Sequence, residues 1–214
     1  MRVLLVLHVA GGSLALLAAL VAVLVQARGR SHRAHVVAGR LYVVGMIVVV
    51  ATALPLSVLI DSTFLALVGV FSGYLMVTGW RFAKNRRGTV GPVDVAIPAV
   101  MAVAALAMLL YGAVTWADRG VVLVVFGLVG LFLVVLHARL LRRGPIRGRE
   151  RIGSHLVWML AASIATLTAF LVVNGPFGLL DWFLPTILVV PVIVVWRRRL
   201  EARGRTTIGQ ALDG

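Results

Sequence analysis

Histidines are the residues of this chain with the most scope for chemistry, and there are five of them. A neutral imidazole binds haem iron or a transition metal through one ring nitrogen. Apolar segments place His35 at the start of the second predicted helix, His137 at the end of the fifth and His155 at the start of the sixth. These three therefore lie at a similar depth near one face of a helical bundle. We predict a redox or metal site held by two of them, with haem b as the candidate cofactor.

Neighbouring residues bear on this site. Met159 follows His155 by one helical turn on the same face, so its thioether is either a second soft ligand or a packing group. His32 is predicted to lie in the loop before His35. His8 lies alone toward the opposite face, about 20 Å or more away at the 1.5 Å rise of a helix. The alternative for all the histidines is hydrogen bonding to lipid head groups, backbone carbonyls or nearby arginines.

Other kinds of chemistry find little support. The chain has no cysteine, which excludes disulfides, thiolate catalysis and Cys-ligated clusters. It also lacks the GxSxG, P-loop and HExxH motifs. Asp94 precedes the fourth predicted helix, where a carboxylate is suited to capping the helix N-terminus. Whether the chain is an enzyme is left open.

The elements that position these residues follow from hydrophobicity. Of the 214 residues, 61% are hydrophobic, against roughly 45–50% in soluble domains. Apolar runs recur at about the 20-residue length that crosses a bilayer as a helix. We predict an all-α integral membrane protein with seven transmembrane helices in one domain, residues 1–197, followed by a basic cytoplasmic tail, residues 198–214. The predicted helices are 3–25, 36–60, 63–82, 95–116, 121–140, 155–173 and 179–196.

Basic residues are concentrated in alternate connections between these helices. The other connections hold only Arg119, with Asp61, Asp118 and Asp181, and Arg2 precedes the first helix. Because Lys and Arg near membrane ends stay in the cytoplasm, the N-terminus is predicted outside and the C-terminus inside. We expect contacts with anionic lipid head groups and none with nucleic acid, since no binding motif is present. The basic residues are Arg28, Arg30 and Arg33 in the first connection; Arg81, Lys84, Arg86 and Arg87 in the third; Arg139, Arg142, Arg143, Arg147, Arg149 and Arg151 in the fifth; and Arg197, Arg198, Arg199, Arg203 and Arg205 in the tail.

Packing faces are indicated by small residues. In the first helix, His8 shares a stripe with Gly11, Gly12, Ala15, Ala18, Ala19 and Ala22, so we expect His8 to face the bundle. Gly69 and Gly73 form a GxxxG pair that predicts another close contact. Four prolines, Pro55, Pro98, Pro185 and Pro191, are predicted inside helices. The few interior hydroxyls are expected to bond their own helix carbonyls; they are Ser57, Ser72, Thr78, Ser163, Thr166 and Thr168.

Three short segments resemble the uncharacterised bacterial membrane family known as domain of unknown function 2306. They are His8 with Ala10, Gly11 and Gly12; His35, Gly39, Arg40 and Tyr42 as H-x-x-x-G-R-x-Y; and His155, Trp158 and Met159 as H-x-x-W-M. The family pattern has an Arg-Ser pair shortly after W-M, where this chain has Leu160, Ala161, Ala162 and Ser163. The resemblance implies a bacterial inner-membrane protein in which His8, His35 and His155 matter as a set, and it implies no known reaction.

Three functions remain open at this point. A haem or metal at the cytoplasmic side would make the chain an electron carrier. A path along His8 and proline-kinked helices would make it a small-solute or proton-coupled transporter, and a parallel repeat of helices one to three and five to seven would be a transporter arrangement. In a structural or accessory membrane protein, the histidines would only satisfy local hydrogen bonds.

Overall fold

The computed structural model describes residues 1–29, 31–116 and 120–212, without the side chains of Leu179 and of residues 203–212. All the regular secondary structure in this part of the chain is helical, and no strand occurs in it. Its seven α-helices are all long and apolar enough to cross a membrane, which confirms the predicted fold class at that level. They are α1 (Arg2–Ala27), α2 (His32–Leu59), α3 (Thr63–Lys84), α4 (Pro92–Val114), α5 (Val121–Arg142), α6 (Gly148–Asn174) and α7 (Leu184–Leu212), with a short 3-10 helix, Gly178–Trp182, before α7.

Several helix ends differ from the predicted ones. α2 begins at His32 and α6 at Gly148, so His32 is helical and His155 lies inside its helix. The predictions ended each helix where its apolar run ended, but backbone hydrogen bonds continue through polar residues. At α2 the Ser31 hydroxyl accepts from the backbone N–H of Ala34 at 3.3 Å and caps the longer helix.

The predicted start of helix seven was also wrong. The chain first forms the 3-10 helix, and α7 begins only at Leu184. Pro185 therefore lies in the first turn of α7, where its missing N–H needs no partner, and not in the helix interior. α7 continues to Leu212, so most of the predicted tail is helical.

Some predictions fall outside the described residues. Arg30, Asp118 and Arg119 contribute to the predicted topology, but their placement is not described. The side chains of Arg203 and Arg205 are likewise outside the description, as are residues 213–214.

The third helix is the centre of the bundle. α3 packs on α2, α4 and α6, while α1 packs mainly on α2, α4 on α5, and α7 on α6. Its buried residues include Phe71, Tyr74, Leu75 and Met76. A parallel repeat of helices one to three and five to seven, raised above as a transporter arrangement, would require α5 to pack on α6 as α1 packs on α2, but the main partner of α5 is α4. The packing therefore does not follow that repeat.

The contact between α1 and α2 is built from glycine and alanine, as predicted for α1. Gly11, Ala15 and Ala18 are buried there. A Cβ atom added to Gly45 of α2 would lie 2.7 Å from the Gly11 carbonyl oxygen. By contrast, a Cβ at Gly69 or Gly73 would come no nearer than 3.4 Å to any atom, so the predicted GxxxG pair is not the closest approach.

His8 also faces α2, as predicted. Its Nδ1 lies 3.0 Å from the Thr52 hydroxyl oxygen. Because that hydroxyl gives its hydrogen to the Val48 carbonyl at 2.7 Å, it accepts a hydrogen bond from the histidine. His8 is therefore occupied in tying α1 to α2.

Large apolar side chains cover the outside of the bundle. Leu17, Val103, Leu110, Phe132 and Ile187 are all exposed. A contiguous apolar surface of this kind is unfavourable in water and suited to hydrocarbon. The seven helices are thus compatible with a membrane bundle.

The glycine contact gives a first prediction. We expect Gly45→Ala to destabilise the protein by about 1–3 kcal/mol, since its methyl group overlaps backbone atoms of α1. The measurement is thermal unfolding of the detergent-purified protein. Gly39→Ala is the matched control on the same helix, because its Cβ would meet no atom within 4 Å. Equal effects of the two changes would show that the α1–α2 contact is not tight at Gly45.

Candidate functional site

Three basic connections meet at one end of the bundle, which we call the basic end: residues 28–31, 85–91 and 143–147, with Arg30 undescribed. The Ile146 N–H donates to the Gly88 carbonyl at 3.3 Å, which joins the α5–α6 and α3–α4 connections. Arg147 Nε donates to the Arg87 carbonyl at 2.7 Å across the same junction. His35, in the first turn of α2, lies beside the last turns of α1. The α3–α4 and α5–α6 connections, both basic, are thus joined at this end of the bundle.

Two of the predicted histidines are brought together at this end. His35 comes from α2 and His155 from α6, and their ring centroids are 6.4 Å apart with the ring planes at 85°. His35 Nδ1 lies 3.2 Å from the Ala22 carbonyl oxygen of α1. His155 Nδ1 lies 3.0 Å from the Gly79 carbonyl oxygen of α3. Each ring is therefore anchored to a helix other than its own.

These hydrogen bonds determine which ring nitrogen is available. A carbonyl oxygen can only accept, so the hydrogen of each neutral imidazole is on Nδ1. The lone pair is then on Nε2 of both His35 and His155. Metal-binding histidines have this same arrangement, in which the other ring nitrogen donates to a backbone carbonyl or a carboxylate.

A cavity of about 150 Å³ adjoins the two rings. Small residues form part of its wall, and a Cβ added to Gly39 would meet no atom within 4 Å. Gln26 and Ile152 line it and are exposed, so the cavity opens at the bundle surface. Its lining residues come from four helices: Ala19, Ala22, Val23 and Gln26 of α1; His35, Gly39 and Tyr42 of α2; Ile152, His155, Leu156, Met159, Leu160 and Ser163 of α6; and Trp196 of α7.

Two further candidates line the same cavity. Met159 also packs on α3, where a Cβ added to Gly79 would lie 2.7 Å from its sulfur atom. Tyr42 is buried, and its hydroxyl donates to the Thr166 hydroxyl oxygen at 3.1 Å, because Thr166 gives its own hydrogen to the Ala162 carbonyl. Met159 therefore has a packing role whether or not it binds a ligand, and Tyr42 ties α2 to α6.

His137 is placed elsewhere. It is 3% exposed and lies among aromatic rings, with centroid distances of 5.3 Å to Trp158, 5.9 Å to Phe82 and 6.0 Å to Tyr74. Trp158 also stacks edge-on against Tyr74 at 5.3 Å. The candidate Trp158 thus belongs to the surroundings of His137 and does not line the cavity beside His155.

The other candidates are separate from the cavity. Arg40 is exposed and is not among the lining residues, although Gly39 beside it is. His32 is exposed at the start of α2. His8 is held by Thr52 at the α1–α2 contact and does not line the cavity.

An ion pair at the basic end was missed by the sequence reasoning. Asp94 accepts from Arg81 Nε at 2.9 Å and from Arg81 Nη2 at 2.8 Å. It also accepts from the Gly91 N–H at 2.9 Å, which confirms the predicted capping role. The available signal was an arginine in the last turn of one helix followed, after a short loop, by an acid in the first turn of the next.

A second arginine is also engaged within the protein. Arg151 Nη1 donates to the carbonyls of Phe82 at 2.8 Å and Ala83 at 2.9 Å. These carbonyls are in the last turn of α3, where intrahelical partners are lacking. Arg81 and Arg151 are therefore structural as well as positively charged, beyond the lipid-contact role predicted for them.

No family model matches the chain, and neither a curated protein nor a solved structure matches it. Within the described residues, no group of three or more histidine, aspartate or glutamate side chains is placed to hold a metal ion. His35 and His155 therefore form a pair of neighbouring histidines that belongs to no larger group of such side chains in the described part of the chain.

The ion pair gives a second prediction. We expect Asp94→Asn to destabilise the protein by about 1.5–3 kcal/mol, since it removes charge-assisted hydrogen bonds from a buried carboxylate but keeps an acceptor for Gly91. Thermal unfolding in detergent measures the change. Glu201→Gln is the control, because the Arg197–Glu201 pair is exposed on both sides and is expected to contribute about 0.3–0.5 kcal/mol. A larger loss in Glu201→Gln than in Asp94→Asn would contradict this account.

Proposed function

We propose that this chain is a multi-pass membrane protein that holds one b-type haem between His35 and His155 and carries single electrons near the cytoplasmic face. The observation that supports it is the pair of imidazoles from α2 and α6, both with Nε2 free and with ring centroids 6.4 Å apart. The haem iron would supply the one-electron chemistry. The chain would supply the ligands, their orientation and an apolar surrounding.

The spacing of the two rings would leave room for one metal centre held by both histidines. A metal–imidazole nitrogen bond is about 2.0–2.1 Å long. The ring centroids of His35 and His155 are 6.4 Å apart. His35 and His155 would hold the haem iron through their Nε2 atoms.

Haem suits this pair better than a bare metal ion. A haem brings its own nitrogen ligands and would need only one or two further ligands from the protein. Within the described residues, His35 and His155 are not joined by a third histidine or a carboxylate in a group that could hold a bare metal ion. A neutral Nε2 is an electron-pair donor, so it favours a Lewis acid over a ligand that itself accepts hydrogen bonds.

The cavity beside the two histidines would take up only part of a haem. Its volume of about 150 Å³ is smaller than the roughly 300–1,000 Å³ of most ligand pockets. It opens beside Gln26 and Ile152, where α1 and α6 make only slight contact. Gly39 and Ala22 provide a wall without bulky side chains.

The orientation is part of the same proposal. The basic connections would lie in the cytoplasm and contact anionic lipid head groups, with the N-terminus outside, in a bacterial inner membrane. Membership of the family known as domain of unknown function 2306 is proposed on the same segments that suggested it. Two of its three histidines, His35 and His155, would then be the ligands, and His8 would be structural.

Transport is less well supported. Four of the interior hydroxyls, those of Ser57, Ser72, Ser163 and Thr166, donate to carbonyls of their own helices. Such groups offer little to a polar solute crossing the bundle. The larger cavity lies at one end of the protein and not along its length.

The third prediction tests the haem. Purified protein from cells supplied with haem should show a Soret band that shifts on reduction with dithionite, with about one haem per chain. His35→Ala and His155→Ala should each abolish the bis-histidine spectrum, because each removes one axial ligand. His8→Ala and His137→Ala are the matched controls and should retain it, since neither side chain lines the cavity.

Gly39→Leu provides an independent test of the cavity. Its side chain would fill the open space beside Gly39, so haem content should fall, while Gly39→Ala should retain haem. A featureless spectrum in wild-type protein would remove the haem proposal. Loss of haem in His137→Ala together with retention in His35→Ala would assign the ligands differently.

The fourth prediction tests orientation. Since the chain has no cysteine, single cysteines can be introduced without background labelling. Ser31 and Ser62 are matched sites, because both are N-caps, of α2 and α3, at opposite ends of the bundle. In intact bacterial cells, a membrane-impermeant maleimide should label Ser62→Cys and should label Ser31→Cys only after permeabilisation. The reverse pattern would mean that the basic end is outside.

A further inference from the structure

The hydroxyl of Thr78 differs from those of Ser57, Ser72, Ser163 and Thr166, which donate to carbonyls of their own helices. Thr78 is 1% exposed, and its hydroxyl oxygen is one of two buried side-chain polar atoms in the described part of the chain with no hydrogen-bond partner. A buried hydroxyl without a partner is unfavourable, because it loses its hydrogen bonds to water and gains none. Buried polar side-chain atoms in native structures are in the large majority hydrogen-bonded to protein or to ordered water.

A small cavity lies beside this hydroxyl. Its volume is about 20 Å³, and it is separate from the cavity of His35 and His155. Holding one water molecule requires at least about 10–15 Å³ and two to four polar partners. Thr78, Asp94 and His137 line the cavity and come from α3, α4 and α5. The space is thus sufficient for one water and too small for an organic ligand.

Each of the three side chains has hydrogen-bonding capacity left. Asp94 accepts one hydrogen bond at Oδ1 and two at Oδ2, whereas a carboxylate has about four acceptor sites. His137 Nδ1 lies 3.4 Å from the Tyr74 hydroxyl, which leaves Nε2 unassigned. Thr78 can donate or accept. A water molecule could donate to Asp94 and pair with the other two groups.

We propose that this cavity binds one ordered water molecule that hydrogen-bonds to Thr78, Asp94 and His137. The water supplies the missing partner of Thr78 and links α3, α4 and α5 just inside the Arg81–Asp94 ion pair. It also completes a hydrogen-bonded chain that runs from Arg81 through Asp94, the water and His137 to Tyr74. This proposal does not depend on haem binding by His35 and His155.

The sign of a stability change distinguishes a hydrated site from a dry one. Thr78→Val replaces the hydroxyl by a methyl group of similar size. If the water is present, we expect the Tm in detergent to fall by about 2–4 °C, as for loss of one buried hydrogen bond in a chain of this size. If the site is dry, the same change removes an unpaired polar atom and the Tm rises, which would overturn the proposal.

Ser72→Ala is the control on the same helix. The Ser72 hydroxyl bonds the Val68 carbonyl and needs no water, so its removal should change the Tm less than Thr78→Val does.

A direct measurement covers the case in which Thr78→Val does not fold. A wild-type map at a resolution that shows waters should contain density within about 3.2 Å of Thr78 Oγ1, Asp94 and His137. Absence of that density in a map that shows other buried waters would overturn the proposal.

Discussion

The contact between α3 and α6 is the constraint on which the rest of the basic end depends. The last carbonyls of α3 lack intrahelical partners, and near a bilayer they need partners from the protein. Arg151 of α6 donates to two of them, at Phe82 and Ala83. One turn further along α6, His155 donates to the Gly79 carbonyl. One face of α6 thus supplies hydrogen-bond donors to carbonyls in the last turns of α3. The bond to Gly79 also orients the His155 ring.

Glycine makes this contact possible. Met159 follows His155 by one turn, and its sulfur, side-chain carbon and backbone nitrogen all occupy the space that a Cβ at Gly79 would need. A side chain at position 79 would therefore require Met159, and the backbone of α6 that carries it, to shift. The separation of the two imidazoles depends on a similar contact on the other side, because His35 is anchored to α1, and α1 approaches α2 through Gly11 and Gly45.

The sequence was sufficient to predict those features that depend on the residues of a single helix. The apolar runs predicted seven helices that are long and apolar enough to span a membrane, because length and hydrophobicity are properties of a single segment. The small-residue stripe predicted the face of α1 that packs, including the inward position of His8. It did less well at helix ends, where polar residues before His155 continue the helix beyond the apolar run.

The site was only partly predictable, because it depends on which helices are neighbours. The sequence reasoning grouped three histidines because they lie at a similar depth in the predicted bundle. Depth along the helices does not indicate which neighbours surround each of them. Different residues of α6 contribute to the two surroundings. His155 and Met159 line the larger cavity, while Trp158 of the same helix faces His137. Asp94 and Arg81 were likewise recognised as a cap and a topology signal, and their pairing follows from the packing of α3 on α4. The two polar centres of the basic end therefore lie beside different side chains of α6. Backbone or charged groups of neighbouring helices complete each centre. Histidines that look equivalent in the sequence therefore have different surroundings in the fold.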